Sequence, residues 1–503
     1  MDSISRFYKI SPVRDLKLRN WATAAFVLVL FAGIISFLWA LNPSVSILFL
    51  YVLYGVITIY VLRFAKADIF SPLIFFLFFS FLGFGLKLPL LSLFPELAFF
   101  ANPFYNPCFS YNVSAISSAF AVFLVGYVAF IIGFNVVKRG IKVGVSERVS
   151  PPLILVMLSA ILITASLYFR SQYRVGVPGF DVAFIEHAGY IYYPLLYGAI
   201  ITTGLTFYSA LTRGSVFYVI AALILFGASA FAEMLLGWKG GAVKFGLIML
   251  IIYYYVSRYR LRNISARIKY WVVAAFLLMI VGTVVLYPIV SQYRYAVLMP
   301  SGQVSMWTFG DFIKATRLNP FQNLNSIIKR ASGLDNLVPI VGYFQQGMGG
   351  HWTSPPSFFA NLFGTGIQPE QFYTWYILGV NPNIITTNAP TGWGALYIWG
   401  GIIGVAIGMI IIGMLSKLLY LTILANIHRD GRWIVFYVIF MVQIFLPMVF
   451  EGTMLNYFKK NFIALFVVYS FFIFIVTVTH PRLHSRKCMS DACQIKGDKG
   501  EIV

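Results

Sequence analysis

Acidic residues are scarce in this chain: 16 Asp and Glu stand against 37 Lys and Arg in 503 residues, and charge of both signs amounts to 11% of the sequence. A soluble fold of this length still needs a polar skin, so this little charge beside 60% hydrophobic residues excludes one. No two acidic residues are adjacent, which disfavours glycosyltransferases that use an acidic pair in the first outer loop. The phosphate-cradling pattern GxxxxGK-(S/T) is missing, so no nucleotide hydrolysis is expected. Neither HExxH nor any equivalent cluster supports a metal site, and no metal or other cofactor is expected. The three cysteines, Cys108, Cys488 and Cys493, make no disulfide framework. Short alternating segments of the kind that build a transmembrane barrel are absent as well.

What is present is a succession of apolar runs, each about 20 residues long and so able to cross the hydrocarbon core. Lipid offers the backbone no hydrogen bonds, so these runs are expected to be helices. They fall near residues 21–42, 45–62, 69–93, 114–137, 151–169, 191–211, 216–236, 242–257, 271–290, 392–416, 433–450 and 461–479. The fold class is therefore all-α, a polytopic membrane protein of about twelve spans. The expected organisation is nine spans with short loops over 1–290, a large loop over 291–390, three spans over 391–479 and a disordered tail over 480–503. The first apolar run is long enough to remain as an anchor.

The net charge of +21 does not point to nucleic acid, because Lys and Arg concentrate in alternate loops. Arg6, Lys9, Arg14, Lys17 and Arg19 precede the first run, and Arg258, Arg260, Arg262, Arg267 and Lys269 lie between the eighth and ninth. Both termini and the tail are thereby expected in the cytoplasm, with the large loop outside. Within that loop, residues 311–347 carry apolar positions at helical spacing on both sides of Pro320, so short amphipathic helices at the membrane face are expected. The segment 170–190 is too polar for the membrane and should also lie outside.

Cations on the outer side run against the orientation rule and call for another role. Arg170 and Arg174 lie four apart, Arg294 follows Tyr293 at the exit of the ninth run, and Arg317 and Arg330 fall on the expected loop helices. Together they would form an electropositive mouth suited to a lipid diphosphate, since guanidinium forks match phosphate oxygens. Lys239 sits in GWKGG (237–241), where glycine lets the backbone approach a bulky anion at the start of the next helix. A tight turn anchored by Trp238 and Lys239 explains the same residues without a ligand. Glu233 lies inside a run, where it either pairs with a cation such as Lys87 or Lys239 or has a functional role. His351 in GMGGHWTSPP (347–356) is either a general base or incidental, and Glu451, at the outer end of the eleventh run, could face the same cavity as Glu233. Trp307, Tyr343, Trp352, Tyr373, Trp375 and Tyr376 offer faces for sugar stacking, or simple packing.

Four stretches resemble bacterial polysaccharide polymerases of the Wzy type, in the O-antigen polymerase and ligase group: GWKGGAVKFGLIML (237–250), YR (293–294), IIKRASGLDNL (327–337) and TGWGALYIWGGIIGVAIG (391–408). The resemblance covers about residues 215–450, the first 200 matching in topology alone. It implies an enzyme of the inner membrane that joins undecaprenyl-diphosphate-linked oligosaccharide units at the periplasmic face. Lys239, Arg294, Arg317 and Arg330 would hold the diphosphate, Arg170 and Arg174 would line the mouth, and His351, Glu370 or Glu451 would deprotonate the acceptor hydroxyl. Membrane lipids and a chain-length regulator are the implied partners. An O-antigen ligase shares this architecture and donor, and a flippase of the same lipid-linked oligosaccharide is the rival from outside enzymology.

Overall fold

The computed structural model describes residues 45–64, 68–93, 113–137, 150–173, 182–235, 241–258, 264–279, 281–282, 333–348, 350–351, 367, 369–380, 390–427, 430–451 and 456–478, with isolated residues between 20 and 35. Among them there is helix and no strand. The elements are α1 (Val45–Phe64), α2 (Pro72–Ser80, a π-turn at Phe81–Gly85, then Lys87–Leu93), α3 (Val113–Val136), α4 (Pro152–Tyr173), α5 (Val182–Arg213), α6 (Val216–Leu235) and α7 (Gly241–Arg258). After α8 (266–279) come α9 (Gly333–Gln345), α10 (Pro369–Phe372 with a π-turn Tyr373–Ile377) and α11 (Thr391–Ile427). The chain ends in α12 (Trp433–Ile439 running through π-turns Phe440–Phe445 and Pro447–Glu451) and α13 (Asn456–Val478). Seven of the described helices are long and apolar enough to cross a membrane: Val45–Phe64, Pro72–Leu91, Ser114–Val136, Pro152–Phe169, Pro194–Arg213, Thr391–Ile427 and Trp433–Phe450. This is the architecture of a polytopic membrane protein.

Polar side chains inside these spans bond back to their own helix. The hydroxyls of Thr58, Ser159, Thr202 and Thr206 each donate to the carbonyl four residues earlier, which hides the donor from lipid. The core between spans is aromatic. Phe76 stacks on Phe130 at 3.8 Å and Phe84 on Phe123 at 4.1 Å, while the Trp393 indole N–H donates to the Phe123 carbonyl at 3.2 Å. Helices α3 and α11 then approach backbone to backbone: Gly133 faces the Ile410 carbonyl and Gly413 the Phe130 carbonyl. Small residues of this kind give membrane helices their close contacts.

The two ends of the bundle differ. At one end Arg258 pairs with Asp68 at 2.9 Å, and Arg432 forks onto Asp430 while donating to the Ser150 hydroxyl and the Val476 carbonyl. The Tyr437 hydroxyl, close by, donates to the Phe70 carbonyl. Asp68 opens α2 and Lys87 lies near its other end, so the Lys87–Asp335 ion pair marks the opposite pole.

Two expectations change. The run 392–416 is not one rod, because α11 breaks at Gly400 and Gly401, where Gly401 has φ 57° and ψ −148°. Trp393 and Val405 both lie against Gly126, and Leu396 lies against Gly404 and Gly408, so the chain reverses direction at this pair. The short arm 391–399 is buried beside the start of the long arm, and only glycine adopts the backbone conformation of the tip without strain. Second, the loop helix α9 is no surface helix: every residue from Leu334 to Gly342 is buried, against α3, α11 and the broken α2. Its apolar positions read as a stripe, yet its two buried polar side chains meet partners inside the bundle, Asp335 the Lys87 ammonium and Asn336 the Tyr373 hydroxyl. The described parts of segment 170–190 are helical, continuing α4 to Tyr173 and beginning α5 at Val182. With 32 residues, α5 spans about 48 Å at the α-helical rise, longer than the hydrocarbon core.

Candidate functional site

The pole opposite Arg258 and Arg432 has buried polar groups of its own, among them Lys87, Asp335, Asn336 and Glu370. It is built where the π-turn of α2 meets the first turn of α9. Gly83 faces Gly333 there, and a β-carbon on Gly333 would lie 2.7 Å from the Phe84 ring. This glycine contact brings the Lys87 ammonium to 3.0 Å from the Asp335 carboxylate, with the side chains only 1% and 0% exposed. Away from water each side chain is the other's counter-charge, and Asp335 also lies in the first turn of α9, where the helix dipole favours an anion.

One residue further on, the Asn336 side-chain oxygen accepts a hydrogen bond from the Tyr373 hydroxyl at 3.1 Å. That bond ties α9 to α10. Glu370 precedes Tyr373 by less than one turn and is 3% exposed, while the Thr374 hydroxyl donates to its backbone carbonyl at 2.7 Å. At the far end of α9, the His351 ring stacks on Phe344 at 4.3 Å and meets the edge of Tyr397 at 5.2 Å. Its Nε2 faces the Gly401 tip, where a β-carbon would sit 3.1 Å away. Its Nδ1 is buried and has no hydrogen-bond partner among the described residues. A carboxylate and an imidazole, both handled by α9 and α10, are groups able to take a proton from a hydroxyl.

Of the residues singled out from the sequence, His351 and Glu370 lie in this region. Glu451 closes the last π-turn of α12 and Arg170 lies in the last turn of α4, with side chains outside the described residues. Lys239, Arg294, Arg317, Arg330 and Arg174 fall outside the described residues altogether. Arg330 precedes α9 by three residues in sequence. Among the aromatics, Tyr373 is fully buried and cannot offer a face to a sugar, whereas Tyr376 is 49% exposed and stacked on Phe372. Trp307 and Trp352 lie outside the described residues. No group of three or more metal-ligating side chains occurs among the described residues.

Sequence reasoning missed the Lys87–Asp335 pair. Lys87 entered only as a candidate partner for Glu233, whose side chain lies outside the described residues, and it pairs with Asp335. The signal was present as a lysine inside the apolar run FLGFGLKLPL, which demands a counter-charge. No family model matches the chain, and no curated protein or solved structure matches it.

Proposed function

We propose that the protein is a membrane-embedded glycosyltransferase that polymerises undecaprenyl-diphosphate-linked oligosaccharide units at the outer face of a bacterial inner membrane. The observation that carries this reading is the buried helix α9. It draws part of the large loop into the bundle and gathers Asp335, Asn336, Glu370 and His351 at one pole, just after the basic segment IIKRA (327–331). A glycosyl transfer needs these two halves: cations for a departing diphosphate and a base for the incoming hydroxyl. In the reaction the anomeric C–O bond to the diphosphate breaks and the acceptor oxygen bonds to that carbon. The hydroxyl proton passes to Glu370 or His351, and undecaprenyl diphosphate leaves with its charge held by Arg294, Arg317, Arg330 and Lys239. Activation resides in the diphosphate linkage, so no nucleotide enters.

A second reading, transport of the same lipid-linked oligosaccharide, is favoured by the helix breaks at Phe81–Gly85 and Gly400–Gly401 and by an ion pair inside an apolar span. Discontinuous helices and intramembrane charges line the binding sites of transporters. Reconstitution into vesicles with lipid-linked repeat units alone separates the two. A ladder of longer lipid-linked chains supports the polymerase. Sugar crossing the bilayer without a ladder supports transport and rejects it, and transfer only to an added lipid-core acceptor would make the protein a ligase.

A further inference from the structure

The Lys87–Asp335 pair presents an energetic puzzle. Taking both charges out of water costs about as much as their attraction returns, so an apolar pair of similar volume would hold α9 equally well. What the ion pair supplies, and an apolar pair does not, is a penalty for every other alignment. A slip of α9 by one turn displaces Asp335 by about 5.4 Å and leaves two buried charges apart. The tight Gly83–Gly333 contact also opposes a slip, because a side chain there would meet the Phe84 ring and the Gly83 carbonyl, and the ion pair adds a polar penalty to contacts of α9 that are otherwise largely apolar. The alignment of α9 decides whether Asn336 reaches the Tyr373 hydroxyl, whether Ile340 meets Gly394, and whether Phe344 stacks on His351.

We infer that Lys87 and Asp335 are positioning residues whose ion pair fixes the axial register of α9 in the bundle, and with it the placement of the Glu370 helix and of His351. The register stands on geometry alone. Only its consequence for glycan synthesis rests on the proposed function.

Register can be read without activity. In a full-length background with Cys108, Cys488 and Cys493 replaced by Ser, the pair Ile340→Cys and Gly394→Cys joins α9 to the short arm of α11. A β-carbon on Gly394 would lie 2.5 Å from the Ile340 Cδ1. Gly246→Cys with Phe276→Cys, where a β-carbon on Gly246 would be 3.3 Å from the Phe276 ring, serves as the control between α7 and α8. With a short bifunctional thiol reagent, Lys87→Met is expected to lower the 340–394 cross-link by about tenfold or more, the control pair being unchanged. The exchange Lys87→Asp with Asp335→Lys is expected to restore most of it. A wild-type cross-link in Lys87→Met, or an exchange no better than the single variant, overturns the inference. If the single variants fail to accumulate, Lys87→Met with Asp335→Leu buries no charge and is expected to fold, keep the control cross-link and lose the 340–394 one. A wild-type 340–394 yield in that variant also overturns it. The ladder assay on the same membranes keeps the two ideas apart, since a wild-type protein that makes no ladder removes the polymerase reading and leaves the cross-link result standing.

Discussion

Glu370 and His351 share the neighbourhood of α9 but differ in what a substitution removes. Glu370→Gln keeps the shape of a buried side chain and deletes its ability to accept a proton. If Glu370 is the base for the acceptor hydroxyl, the rate of ladder formation should fall by about 10²–10⁴-fold with little change in thermal unfolding. A near-normal rate would take Glu370 out of the chemistry. His351→Phe preserves the flat stack on Phe344 and removes both ring nitrogens, whereas His351→Ala removes the stack as well. Loss of activity in both variants assigns the effect to the nitrogens, and loss in Ala alone assigns it to packing. Gly401 next to His351 tests the hairpin tip. An alanine there must adopt φ 57° and place its β-carbon 3.1 Å from Nε2, so Gly401→Ala should cost about 1–3 kcal/mol, read as a lower melting temperature in detergent.

Helix pairs in lipid gain nothing from hiding apolar surface from water, so α3 and α11 depend on contact density. Gly133 and Gly413 provide it by letting two backbones meet. Gly133→Leu should therefore separate the pair and destabilise the protein by about 1–3 kcal/mol or more. Gly227→Leu on α6, where a β-carbon meets nothing within 4 Å, should leave the melting temperature unchanged. Equal effects at both positions would reject the close-packed interface. These glycines also explain what the sequence could and could not reveal about the elements. Length and apolarity announce a helix, so α1, α3 and α12 lie where the apolar runs place them. The Gly400–Gly401 break hid inside a run that stays apolar on both sides, because hydropathy is blind to a reversal of direction. For α9 the misreading was of environment. Asp335, Asn336 and Pro339 look like marks of a surface helix, and the buried Asp335 has its counter-charge in Lys87, 248 residues away in the chain. At the candidate site, His351 and Glu370 were legible as proton-handling types, whereas the ion pair and the Asn336–Tyr373 bond required the fold to bring distant segments together.

At the scale of the whole molecule, the distribution of charge and the geometry can be checked against each other. Asp68, Arg258, Asp430 and Arg432 gather at the pole to which the positive-inside rule assigns the cytoplasm, and α9 docks at the other. The proposed chemistry depends on that polarity, because it requires the lipid-linked repeat units to meet on the face where residues 291–390 are expected. The segment between Ser265 and Met348 contains one expected crossing, the apolar run 271–290, so these two residues should lie on opposite sides. Both are exposed and suited to labelling. In the cysteine-free background, Met348→Cys should react with a membrane-impermeant maleimide in intact cells with permeabilised outer membranes. Ser265→Cys should react only after the inner membrane is opened. Reaction of both from outside would mean that the run 271–290 does not cross, and reaction of Ser265→Cys alone would turn the molecule over. The first result would leave the loop outside and remove only the ninth span, whereas the second would place the loop cations away from the lipid diphosphate and leave α9 a packing element, without a role in glycosyl transfer.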